Sequence, residues 1–294
     1  MDEGFIMMRR FYLVLCVFLF SSISLSAQTG IAPQNCIAIM GDSLPAGTFV
    51  AEVPGTGVTV LQSRHVAYIL DDALQARDLI HYGVYDLSLS ASAITDPNSE
   101  PYLTSREFFL GRQLNCRFVV IFPFLNDLYS SDDDTTGQAI YQAGLTNMLS
   151  NIRSNSPNSH IILMNFYHST LLGVGDATYG NNVTVAHVAG LNILHQNACA
   201  VDVQITCLST ASILNPIQDY VVGNISRQDY ELFSYSVVDP TTQSMLDTYW
   251  ANTPNNVIYG DGLHLNPNGQ VRIVGTLMSL FSSLEPINFA PILP

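Results

Sequence analysis

Three apolar runs, each about one strand long and fenced by polar segments, constrain this chain more than any other feature. Cys36–Met40 (CIAIM), Phe118–Phe124 (FVVIFPF) and His160–Tyr167 (HIILMNFY) are continuous rather than alternating. That is the pattern of parallel strands buried on both faces. Helical spacing fills the gaps: Val66, Ile69, Leu70, Ala73 and Leu74 form one stripe, and Ile140, Leu145, Met148, Leu149 and Ile152 another within Gly137–Arg153. Val183–Ala198 predicts a further helix, and weaker strands are expected at Ile80–Leu89 and Ile205–Leu208. Near the end, Asn266-Pro267 reads as a helix start, with Asn as cap and Pro in the first helical position. Val271, Val274, Met278 and Phe281 then give that helix a buried face. Alternating strands and helices predict an α/β fold with a mostly parallel sheet covered on both sides. The Pro/Gly-rich stretch after Leu44 reads as a loop. Residues 212–256, rich in Asn, Asp, Tyr and Ser, read as loops and short helices flanking a cleft.

Composition narrows what such a domain can do. Charged residues are 12% of the 294, against a usual share of about 25%, while hydrophobic residues reach 48%. A disordered chain needs the reverse balance. The formal net charge is −14, and all 10 cations are Arg. An acidic chain without a basic cluster is a poor partner for nucleic acid or an anionic membrane surface; a neutral substrate suits it better. At the N-terminus, Arg9 and Arg10 precede the apolar run Phe11–Phe20 and the small-residue stretch Ser21–Ala27. The run is too short to span a bilayer, which takes about 20 residues. It matches a secretory signal peptide, residues 1–27, cleaved after Ala27. A single domain over residues 28–294 is then expected, secreted or periplasmic, with no stable membrane anchor after cleavage. Leu15 before Cys16 does not suit lipidation. The remaining cysteines, Cys36, Cys116, Cys199 and Cys207, are an even set in an exported chain and read as disulfides with three possible connectivities. No C-x-x-C occurs, so a structural metal is not expected.

The chemistry concentrates at two remote places. Strand CIAIM runs directly into Gly41-Asp42-Ser43-Leu44, and open α/β sheets bind ligands at the carboxyl ends of their strands. Gly41 permits a tight turn, and the N–H groups after it can face a developing oxyanion. A serine is a weak nucleophile until a base takes its proton. Asp261-Gly262-Leu263-His264, just before the last helix, supplies a carboxylate and an imidazole together. Asp261 can accept the Nδ1–H of His264 and leave Nε2 facing the serine, which is triad logic.

With both blocks in place, the chain resembles the SGNH, or GDSL, hydrolase superfamily over roughly residues 35–284. A third block of that family ends in Asn-Asp after the third strand, and here FVVIFPF leads to Leu125-Asn126-Asp127. The resemblance implies that the Asn126 side chain binds the oxyanion. In Asp86-Leu87-Ser88-Leu89-Ser90-Ala91, Ala91 stands where the family has a donor Gly, and Phe124-Leu125 replaces a small pair before the Asn. The bulky pair predicts a tighter, more apolar site floor. The resemblance further implies a flavodoxin-like three-layer α/β/α fold, with a five-stranded parallel sheet in the order 2-1-3-4-5. That order sets strands one and three side by side, which favours Cys36–Cys116, with Cys199–Cys207 closing a local loop; buried free thiols are the alternative.

The implied activity is hydrolysis of carboxylic esters, with Ser43 as nucleophile, His264 as base and Asp261 as its orienting acid. The oxyanion donors are then the Ser43 and Ala91 N–H groups and Asn126. No metal or organic cofactor is required, and the expected partner is a small-molecule, lipid or glycan ester. Two alternatives stand beside it: a carbohydrate O-acetyl esterase or acyltransferase on the same fold, and a catalytically silent binding protein. Residues 212–259 offer material for a sugar cleft or a lipid groove. His65, His81, His160, His168, His187 and His195 show no ligand spacing and read as structural, and Asp132-Asp133-Asp134 as solvated loop acids. Asn182 and Asn224 lie in glycosylation-type triplets. No Gly-x-Ser-x-Gly surrounds Ser43, so the α/β-hydrolase elbow does not apply.

Overall fold

The computed structural model describes residues 32–53, 57–62, 65–95, 99–128, 134–166, 185–209, 259–260, 265 and 267–286. The predicted signal segment, Asp261, His264, Asn266, His168, Asp132, Asp133, Asn182, Asn224 and nearly all of 212–259 lie outside these residues.

The apolar runs of the sequence become the centre of one sheet. Strands β1 (Gln34–Gly41), β4 (Gly83–Ser88), β7 (Cys116–Ile121), β8 (His160–Met164) and β9 (Ile205–Leu208) pair in the order β4-β1-β7-β8-β9. Every pair is parallel. In sequence order of these five strands this is 2-1-3-4-5, the flavodoxin-like arrangement. Ile37, Ala38 and Ile39 of β1 and Phe118, Val119 and Val120 of β7 are fully buried, as central strands covered on both faces must be.

The helices are α1 (Val66–Gln75), α2 (Arg106–Gln113), α3 (Asp134–Asn155), α4 (Val185–Val201) and α5 (Pro267–Leu284). They fall into two groups, α1 against α5 and α2–α3–α4 in series, which makes the three-layer α/β/α architecture. Most of the predicted stripes face inward: Leu70 and Leu74 on α1, Met148 and Ile152 on α3, and Val274, Met278 and Phe281 on α5 are buried, whereas Ile140 and Val271, expected on the same faces, are exposed near the starts of their helices. Helix α2 carries no long apolar stripe; it is set by Ser105, whose hydroxyl caps the Phe108 N–H at 3.1 Å. Both cysteine pairs are bonded as the resemblance implied. Cys36–Cys116 ties the starts of adjacent strands β1 and β7 across a Cα distance of 4.7 Å, and Cys199–Cys207 joins α4 to β9.

The loop expected after Leu44 is corrected. The stretch after Leu44 is a β-hairpin, with strands β2 (Thr48–Val53) and β3 (Gly57–Gln62) paired antiparallel, Val50 opposite Val60. Its outer side is joined by β10 (Tyr259–Gly260), which sets Tyr259 opposite Glu52 and Gly260 opposite Ala51. The signal was present in Thr48–Val53 and Val58–Leu61, β-branched and apolar stretches either side of Pro54-Gly55. The turn residues dominated the reading and hid the strands they connect. Short strands β5 (Ser92–Ala93) and β6 (Glu100–Pro101) pair beside the carboxyl end of the main sheet.

Candidate active site

The carboxyl ends of β4, β1 and β7 converge on one rim. Beyond the last ladder pairs, Leu89 N–H donates to the Gly41 carbonyl at 2.9 Å, and Phe122 N–H to the Met40 carbonyl at 2.9 Å. The three segments that leave this rim carry Ser43, Ala91 and Asn126.

Ser43 is positioned by its neighbours. Gly41 has φ +153°, and a Cβ there would come within 2.7 Å of Pro45 Cγ and 2.8 Å of Phe122 Cβ. Only glycine lets the chain turn so tightly against β7. Asp42 is fully buried, and its Oδ1 accepts the Leu44 N–H at 3.0 Å. This Asx turn closes around Ser43 and leaves that residue half-buried at its tip.

Ala91, where the resembled family has glycine, adopts φ +62°, so the backbone keeps the left-handed conformation a glycine would take. The turn is closed on both sides: Ser92 N–H and Oγ donate to the Leu89 carbonyl at 3.2 and 2.6 Å, and the Ala91 carbonyl accepts from Glu100 N–H at 3.2 Å. Asn126 reaches this turn directly, its Nδ2 donating to the Ser92 carbonyl at 2.8 Å. An amide nitrogen has two hydrogens; one in this bond fixes the plane in which the other points.

Sequence reasoning assigned no role to Asp127, yet it is the anchor of the third segment. It is buried, and its carboxylate accepts from Ile94 N–H and Thr95 N–H, each at 2.8 Å, and from Thr95 Oγ1 at 2.5 Å. Asn126 and Asp127 together therefore lock the segment after β7 to the segment after β4. The Asn-Asp spelling was visible, but the acid's partners are backbone N–H groups, which no sequence pattern marks.

Phe124 does not form an apolar site floor. It is fully buried and packs tilted against Tyr102 at a centroid distance of 4.7 Å, so its bulk belongs to the core. The Tyr102 hydroxyl donates to the Leu87 carbonyl at 2.7 Å, and burial pushes its phenol well above the ordinary value. Deeper still, Tyr141 bonds His195 Nε2 at 2.8 Å. Burial raises the Tyr141 phenol, reinforced by the charges of Asp127 and Asp42, so this pair lies within electrostatic reach of both loop acids. Burial likewise lowers His195 to about 4, which keeps it neutral.

His160 bonds Thr206 Oγ1 at 2.8 Å across β8 and β9, and burial, then Arg153, lowers its pKa. These two histidines are structural. His65 differs, for its Nδ1 pairs with the Asp86 carboxylate at the sheet edge. Among the described residues no helix is long and apolar enough to cross a membrane.

No protein-family model matches the chain, and no curated protein matches it in sequence. Solved structures match it in fold. A carbohydrate acetylesterase from Sinorhizobium meliloti, Est24, is 13% identical with a TM-score of 0.56, covering 85% of this chain and all of its own. A GDSL-like lipase from Parabacteroides merdae is 12% identical with a TM-score of 0.52, covering 85% of this chain and 96% of its own. The chain has the SGNH, or GDSL, hydrolase fold. Likeness at this identity defines architecture alone.

Proposed function

We propose that this protein is a secreted serine hydrolase of carboxylic esters. The observation that carries the reading is the convergence of Ser43, Ala91 and Asn126 on one rim of adjacent strands, with Asn126 bonded to the turn that holds Ala91. In this mechanism Ser43 Oγ attacks the ester carbonyl carbon while His264 Nε2 takes its proton. Asp261 accepts the His264 Nδ1–H, fixing the tautomer and stabilising the imidazolium. The oxyanion of the tetrahedral intermediate is held by the Ser43 and Ala91 N–H groups and the second Asn126 Nδ2–H, donors that need no reorganisation as charge develops. Collapse breaks the ester C–O bond, and His264 returns the proton to the leaving alcohol. Water, deprotonated by the same imidazole, then attacks the acyl carbon, and as the acid leaves the imidazolium returns that proton to Ser43 Oγ.

Asp261 and His264 enter on the sequence blocks alone. Export is supported by the N-terminal pattern and by two disulfides, which persist in oxidising compartments.

The test is a fluorophosphonate probe and p-nitrophenyl acetate on the purified protein and its Ser43→Ala variant. Covalent labelling at Ser43, with hydrolysis lost in the variant, is expected; a variant that still hydrolyses the ester removes Ser43 from its role. The same preparation without labelling points to the silent binding protein. A panel of acetylated glycans and esters of graded chain length separates a carbohydrate O-acetyl esterase from a lipase.

A further inference from the structure

Two residues stand where local preference does not favour them. His65 occupies the N-cap of α1, a place that suits Ser, Thr, Asp or Asn, and its side chain makes no cap bond. Asp86 lies in the interior of edge strand β4, although Asp is depleted in strands. The two side chains meet instead, His65 Nδ1 pairing with Asp86 Oδ2. The other carboxylate oxygen of Asp86 accepts from Ser88 N–H at 3.0 Å and from Ser88 Oγ at 2.5 Å, which fixes the acid on its own strand. Breaks of local preference that serve one tertiary contact are expected at functional sites.

What this contact secures is the turn that carries Ser43. Ser88 stands opposite Gly41 in the ladder of β4 and β1, and Leu89 N–H donates to the Gly41 carbonyl at 2.9 Å. Past Ser43, the Pro45 carbonyl accepts from Val66 N–H at 2.9 Å, and Val66 directly follows His65. The bonds therefore form a closed circuit: along the chain from Gly41 to Pro45, across to α1, through His65 to Asp86, and along β4 back to Gly41. Ser43 stands midway along the first span. The Leu89 carbonyl also accepts from Ser92 N–H at 3.2 Å, which joins the circuit to the turn that holds Ala91. Broken at His65, the circuit anchors the Ser43 span to β4 at its Gly41 end and no longer at its Pro45 end.

We propose that His65 and Asp86 are positioning residues for the nucleophile, their contact closing the circuit that sets Ser43 against the Ala91 turn. This rests on the reading of Ser43 as nucleophile above. In this role neither residue touches a reacting atom, and both act through the Gly41–Pro45 span. A misplacement of about 1 Å in such a geometry costs on the order of 10²-fold in rate.

The experiment measures the rate of fluorophosphonate labelling at Ser43, kcat and KM for p-nitrophenyl acetate, and urea unfolding. His65→Phe keeps a ring beside Tyr68, whose centroid lies 5.2 Å from that of His65, and removes the bond to Asp86. It should lower the labelling rate and kcat by about 10²-fold, with KM within about threefold of the parent. His65→Asn offers an amide nitrogen as donor in place of Nδ1 and should restore both rates to within about threefold. Asp86→Ala should add less than about a twofold loss to His65→Phe, because the two residues act as one unit. Arg153→Ala removes a pair with Asp202 near the start of β8, and should cost stability while labelling proceeds at the parent rate. Labelling of His65→Phe at the parent rate, or an equal slowing in Arg153→Ala, overturns the proposal and leaves Ser43 the nucleophile. A loss as deep as that of Ser43→Ala, not restored by Asn, also overturns it, because His65 is then the base itself. A parent that does not label at Ser43 overturns the nucleophile reading and this proposal together. Should His65→Phe fail to fold, His65→Ala removes the same bond without a ring and is read by the same two rates.

Discussion

Ala91 shows how a backbone conformation can outlast the residue type suited to it. An L-residue with a Cβ pays roughly 1–2 kcal/mol to sit in the left-handed region, and Ala91 sits there at φ +62°. The surrounding bonds, Leu89 carbonyl to Ser92, Ala91 carbonyl to Glu100 and Ser92 carbonyl to Asn126, over-determine the turn. Strain of this kind persists only where neighbours enforce it. Glycine would relieve the strain but enlarge the unfolded ensemble, and the two effects oppose each other. Ala91→Gly is therefore expected to stabilise by at most about 1 kcal/mol in urea unfolding. Because the N–H stays in place, ester turnover should remain within about threefold of the parent, on the scale of the 10²–10³ that losing a donor costs. A tenfold loss would show that the Cβ, and not only the amide, matters at this rim. At this scale the Gly-Asp-Ser-Leu spelling was informative because its letters act locally, Gly41 in the turn and Asp42 in the Asx bond. Asp127 was silent because it satisfies Ile94 and Thr95, more than thirty positions away.

At the scale of elements, legibility followed periodicity. Strands β1, β7 and β8 were marked by unbroken apolar runs, and α1, α3 and α5 by stripes whose members, such as Leu70, Met148 and Phe281, are buried. Helix α2 escaped because Arg106, Glu107, Arg112 and Gln113 break its pattern and only Phe108 and Gly111 turn inward. The hairpin escaped for a different reason: the turn signal of Pro54-Gly55 outweighs two short strands that pair in a small sheet of their own. The disulfides act between elements and differ in what they close. Cys36–Cys116 spans a sequence separation of 80 and Cys199–Cys207 one of 8. Chain-closure entropy gives about 4.5 kcal/mol for the longer loop and about 2.5 kcal/mol for the shorter. Replacing Cys36 and Cys116 by Ala should therefore lower the unfolding free energy by more than replacing Cys199 and Cys207. Equal losses in urea would mean that native packing around the sulfurs, and not loop closure, sets their worth.

For the molecule as a whole, the buried polar pair beneath the rim links stability to pH. His195 is fully buried against Tyr141 and Phe166, with its pKa lowered to about 4 from the ordinary 6.5, chiefly by desolvation. The folded state binds this proton more weakly than the unfolded chain does, so acid favours unfolding. The stabilisation is fully present above pH 6.5 and is lost as pH falls through about 4, a span worth up to about 3 kcal/mol. Carboxylates also protonate in acid, while the net charge of −14 shrinks and eases self-repulsion. Those contributions are shared by any variant that leaves them untouched, so a comparison isolates the imidazole. His195→Phe removes the titrating group and leaves the Tyr141 hydroxyl without its 2.8 Å partner. It should therefore be less stable than the parent at pH 7.5, by about 1–3 kcal/mol. Between pH 7.5 and 4 the parent should lose up to about 3 kcal/mol more than the variant, so that the two unfolding curves approach each other in acid. Parallel losses across that range would mean that His195 titrates alike in the folded and the unfolded chain, so that its burial beside Tyr141 leaves the proton affinity of the imidazole unchanged.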